Sequence, residues 1–76
     1  MAGRLGPVER IRRMFIKIRE DRGLTQDQVA KRAGLAERST LANWEQGKRE
    51  PGVGDLVAWA RALGTTVHAV AEAANV

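Results

Sequence analysis

The chain has 76 residues, 43% of them apolar and 29% charged, a globular composition with room for one small domain. Thirteen Lys and Arg oppose nine Asp and Glu, a net charge of +4. Residues 1–49 hold twelve basic and six acidic side chains, and residues 50–76 hold one and three, so a basic front favours a polyanionic partner, nucleic acid ahead of an anionic membrane. With no Cys and His68 as the single His, one chain cannot build a disulfide frame, a thiolate nucleophile, a multi-histidine metal site or a catalytic triad. No apolar run approaches the ~20 residues of a membrane span, and the N-terminus lacks a secretory apolar region. The expectation is a soluble, intracellular, non-enzymatic domain without metal or cofactor.

Residues 1–6 read as a loose arm and residues 7–76 as the single domain. Pro7 suits the first turn of a helix, where its missing N–H would have no partner anyway. From Pro7 to Asp21, Val8, Ile11, Phe15 and Ile18 mark one apolar stripe with Met14 at its edge. Arg22-Gly23 ends this helix. Thr25 and Gln28 have capping-box spacing, and Leu24 and Val29 have that of a hydrophobic staple. They open a short helix over Gln26–Ala33, with Val29, Ala30 and Ala33 facing inward and Gly34 closing it.

A third helix is predicted over Arg38–Gln46, with Leu41, Trp44 and Glu45 on its inner side and Gly47 beyond its end. Lys48-Arg49-Glu50-Pro51-Gly52 is a basic turn closed by helix breakers. A fourth helix covers Val53–Leu63, with Leu56, Trp59, Ala60 and Leu63 on its apolar face. Thr66 caps a last short helix in which Val67, Val70, Ala71 and Ala74 share one face. No stretch alternates with period two, so the fold class is all-α, five short helices joined by tight turns. Two short helices around a Gly-containing turn meet the physical requirement of a helix-turn-helix, here over about residues 25–47. One helix braces across the phosphate backbone while the next enters the major groove.

The segments REDRGLTQDQVAKRAGL, STLANWEQGKREP and LVAWARALG together resemble the Cro/lambda-repressor-like helix-turn-helix domains of phage and bacterial regulators, over about residues 11–71. The resemblance implies a compact five-helix domain that binds operator DNA, often as a dimer. Seven positions lead from Gly34 to Leu41, one more than the family pattern has. Registering the third helix on Trp44 places the base-reading positions at Arg38, Ser39 and Asn43, with Ala42 beside them. Registering on Gly34 moves the first of these to Glu37.

Arg38 has the donor fork for guanine, a contact worth about 1–3 kcal/mol of discrimination. It equally suits a phosphate, or plain solvation of the helix start. Asn43 suits adenine or simple solvation. Ser39 and Thr40 suit phosphate or a base edge, and Thr40 also suits local backbone groups. Gln26 resembles the family glutamine that meets phosphate and buttresses the recognition helix. Lys48 and Arg49 follow that helix and read as phosphate contacts. Lys31 and Arg32 are further phosphate candidates or ordinary surface. Arg10, Arg12, Arg13 and Lys17 either widen the basic footprint or form a wet helix face.

By the resemblance Arg19 and Glu45 form an inner ion pair joining the first and third helices, and losing one partner of such a pair costs about 3–5 kcal/mol. Trp44 and Trp59 sit on apolar helix faces and read as core, and His68 as surface. The implied function is a sequence-specific regulator of double-stranded DNA, a Cro-like repressor occupying an operator. The alternative is an antitoxin or restriction–modification controller acting partly through a protein partner. A chain of this length has no room for a ligand-sensing domain, so no small-molecule ligand is expected. A homodimer is motivated by the tail, where Val67, Val70, Ala71 and Ala74 offer a candidate dimer face. The expected location is the cytoplasm of a bacterial cell or phage-infected host, at the nucleoid.

Overall fold

Helix starts and stops in this chain follow local chemistry closely. The structure, a computed structural model, describes residues 6–76. Its helices are α1 (Pro7–Asp21), α2 (Gln26–Arg32), α3 (Arg38–Gln46), α4 (Val53–Ala62) and α5 (Val67–Ala73), and no strand occurs among the described residues. Of the expected arm, residues 1–5 lie outside the described residues. Gly6 is the extended N-cap of α1 and Pro7 its first helical residue.

Thr25 Oγ1 accepts the Gln28 N–H at 3.1 Å, and Gln28 Oε1 accepts the Thr25 N–H at 2.9 Å. The reciprocal pair satisfies two donors that the start of α2 would otherwise leave unmade. Thr66 Oγ1 likewise accepts the Ala69 N–H at the start of α5. At α4 the Gly52 N–H donates to Asp55 Oδ2 at 3.3 Å. Two ends differ by one residue from the sequence expectation: α2 stops at Arg32 and α4 at Ala62, with Ala33 and Leu63 as their C-caps.

The core forms where the five apolar stripes meet. Phe15 from α1, Val29 and Ala30 from α2, Leu41 and Trp44 from α3, Trp59 and Ala60 from α4 and Val70 from α5 are all buried. Trp59 lies among the aromatics, with ring centroids 4.5 Å from Phe15 and 5.4 Å from Trp44. Tilted pairs at this range add about 0.5–1.5 kcal/mol each beyond area burial. Both tryptophans are core, as their apolar faces predict.

Two expectations about apolar faces are corrected. Val8 is 52% exposed, because it lies in the first turn of α1, before the stripe reaches the other helices. Val70, assigned to a candidate dimer face, is 1% exposed. Helix α5 folds back against α1 and α4, so its stripe completes the core of its own chain. Val67 packs on the same core, and Ala71 and Ala74 are half-buried.

Candidate nucleic-acid interface

Helices α2 and α3 pack on one another across a five-residue connection, Ala33 to Glu37. Ala30, a small side chain, is buried on the inner face of α2. Gly34 takes φ +78°, and the next N–H, from Leu35, donates back to Ala30 O at 2.9 Å. Leu35 is half-buried against the core, while Ala36 and Glu37 are exposed. Gly34 therefore closes α2 normally and Leu41 is still fully buried. The longer spacing thus runs through an exposed stretch, Ala36 and Glu37, before α3 begins.

Helix α3 begins at Arg38, with Glu37 as an extended N-cap whose side chain makes no capping bond. With 3.6 residues per turn, Ser39, Ala42, Asn43 and Gln46 share the arc away from the buried Leu41 and Trp44, and Arg38 stands at its edge. Arg38, Ser39 and Gln46 are exposed, and Ala42 and Asn43 half-buried. Glu37 is exposed but precedes the helical arc. Thr40 lies to the side and is half-buried, its backbone N–H reaching Glu37 O at 3.3 Å. Gln46 escaped the sequence reading. The signal for it was its spacing, four residues beyond Ala42 and seven beyond Ser39, which puts its amide in line with them.

The exposed arc of α3 is held from behind by a three-residue network. Arg19 Nε donates to Glu45 Oε2 at 2.7 Å and its Nη2 to Oε1 at 3.2 Å, while its Nη1 donates to Leu24 O at 3.0 Å. Gln26 Nε2 donates to Glu45 Oε1 at 2.9 Å. The Arg19 and Glu45 side chains are 15% and 6% exposed. One carboxylate thus receives donors from α1 and α2, which ties α3 to both. Gln26, expected to meet phosphate and to buttress the recognition helix, is seen here as a buttress.

The basic candidates differ in how far each charge is already engaged. Lys48 and Arg49 are exposed just past the end of α3, where Gly47 takes φ +76°. Arg49 shares the lining of a polar pocket of about 270 Å³ with Thr40, Glu50 and Asp55, which places two carboxylates near it. Lys31 faces Asp27 at 3.5 Å and Lys17 faces Asp21 at 3.0 Å, all four exposed; such pairs are weak and easily exchanged for another anion. Arg10 donates to Asn75 O at 2.7 Å, Arg12 pairs with Glu9, and Arg13 and Arg32 are exposed. His68 is exposed beside Glu72. Among the described residues no cluster could hold a metal, and no helix is long and apolar enough to cross a membrane.

A short helix pair braced around a glycine turn, presenting a polar arc flanked by cations, has the arrangement of a helix-turn-helix. The family model described as "Helix-turn-helix" matches residues 15–74, and the chain belongs to this Cro/C1-type helix-turn-helix family. It is also similar to the uncharacterized HTH-type transcriptional regulator y4dJ of Sinorhizobium fredii, with 38% identity over 52 residues. That match spans 68% of this chain and 66%, just under two thirds, of the relative. No solved structure gives a significant match.

Proposed function

We propose that this chain is a sequence-specific regulator of transcription that binds double-stranded DNA and acts as a Cro-like repressor, covering an operator rather than performing chemistry. The observation that carries this reading is the α3 arc. Ser39, Asn43 and Gln46 stand away from the buried Leu41 and Trp44, with the exposed Arg38 at the edge of the same arc, and the side chains of all four make no hydrogen bonds among the described residues. A helix of this size fits the major groove, where Arg38 suits guanine and Asn43 or Gln46 suits adenine. Lys48 and Arg49 then meet phosphate at one end and the exposed start of α2 meets it at the other. The name of the Sinorhizobium relative supports a role in transcription.

One such reading head makes few contacts, so two copies would bind mirrored half-sites. With Val70 in the core, the apolar surface left for pairing at the tail is Val76 with the half-buried Ala71 and Ala74. The site of action would be the bacterial nucleoid.

Selection of sites from a random duplex pool near physiological salt, followed by footprinting, tests the proposal. The expected result is two mirrored half-sites one helical turn apart. A single asymmetric site would refute the dimer. Absence of any enriched sequence would refute base readout and favour the alternative role, an antitoxin or controller working through a protein partner.

A further inference from the structure

Arg12 and Arg19 lie seven residues, two turns, apart on one face of α1, and both reach α3. Arg19 holds Glu45; Arg12 covers Gly47. A Cβ built on Gly47 would sit 3.0 Å from Arg12 Nη1 and 3.2 Å from its Cζ, so the guanidinium lies directly against this α-carbon. The Arg12 side chain is only 12% exposed and its charge is paired with Glu9 one turn earlier. At that spot the chain leaves α3: Gly47 N–H donates to Trp44 O at 3.2 Å and Lys48 N–H to Asn43 O at 3.0 Å. The carboxyl end of a helix is its negative pole and attracts a cation.

We propose that Arg12 is a positioning residue for the phosphate-facing turn, holding Gly47 so that Lys48 leaves the end of α3 in the direction that meets the DNA backbone. The inference rests on the DNA-binding reading above. Its physical basis is pre-organisation: a turn already fixed on α1 loses less freedom when Lys48 engages phosphate. Arg12 acts through Lys48, because its own head is mostly buried and neutralised by Glu9.

The test uses Arg12→Met in the full chain, which keeps an unbranched apolar stem and removes the fork. Amide exchange without DNA should quicken at Gly47 and Lys48 and stay unchanged in α2 and α4. Affinity for a random duplex should fall about threefold to tenfold, the scale of coupling between contacting residues. In a Lys48→Ala background the same change should cost nothing further. An additive loss, with one more unit off the salt slope, would make Arg12 a direct phosphate contact and overturn the proposal. Faster exchange throughout the core, or no change at Gly47, would also overturn it. If Arg12→Met does not fold, Arg12→Lys, which keeps the charge but not the planar fork, is measured in the same way. A wild-type protein showing no salt-dependent duplex binding would sink the DNA-binding reading and the role of Lys48 with it. The exchange data would still decide whether Arg12 holds the turn.

Discussion

Removing either partner of the Arg19–Glu45 pair should destabilise the domain far more than removing both. In Arg19→Met the Glu45 carboxylate, 6% exposed, keeps one neutral donor, Gln26, in place of three hydrogen bonds. A buried charge left in that state costs about 3–5 kcal/mol. In Glu45→Leu the Arg19 guanidinium keeps its bond to Leu24 O and has slightly more access to water, so the lower end, about 3 kcal/mol, applies. A domain of 76 residues is stable by about 4–11 kcal/mol in all, and 3 kcal/mol lowers its midpoint by roughly 12–24 °C. The double variant removes both charges and should lose less than either single one, since a buried pair and an apolar pair of similar volume are often equivalent. Urea unfolding followed by the fluorescence of the buried Trp44 and Trp59 measures all three proteins. Single losses below about 1 kcal/mol that simply add would match an exposed pair and refute the argument that this network braces α3.

Arg38→Ala should relax preference at one base pair and cost about 1–3 kcal/mol on the selected site, whereas Lys48→Ala should weaken all duplexes alike and lower the salt slope by about one; titrations on specific and random duplexes distinguish them, and equal losses for both variants would show Arg38 misassigned. Gly47→Ala should cost about 1–3 kcal/mol, because φ is +76° and the added carbon also crowds the Arg12 guanidinium, while Gly54→Ala, with open space around it inside α4, should be stabilising by about 0.4–1 kcal/mol; thermal unfolding reads both. Val70→Asp should abolish cooperative unfolding, since it places an unpaired carboxylate in the core, and Val76→Asp should leave the fold intact, as circular dichroism would show.

Most helix boundaries were legible in the sequence because they are made by neighbours in the chain. The Thr25 and Gln28 side chains each accept the other's backbone N–H, and glycine at Gly34 and Gly47 meets a backbone requirement set within one turn. The apolar stripes were legible for the same reason, since period alone shows which side of a helix avoids water. The family pattern already placed Arg19 beside Glu45, and the structure adds Gln26 as a third member. The exposed Gln46 is the last residue of α3, and in sequence it looks like an ordinary polar helix end.

What the sequence by itself determined was therefore local: five helices, their inward faces, and a basic front half. What only the tertiary structure decided was which neighbour covers each face. Val70 has the same place in its stripe whether a second copy or α1 and α4 cover it, and the fold-back of α5 buries it within the chain. Arg12 looks in sequence like any cation on a wet helix face, and the packing of α1 against α3 puts it on Gly47. Hydrophobic periodicity gives direction to a side chain but no distance to its partner; that distance exists only once helices far apart in sequence have docked.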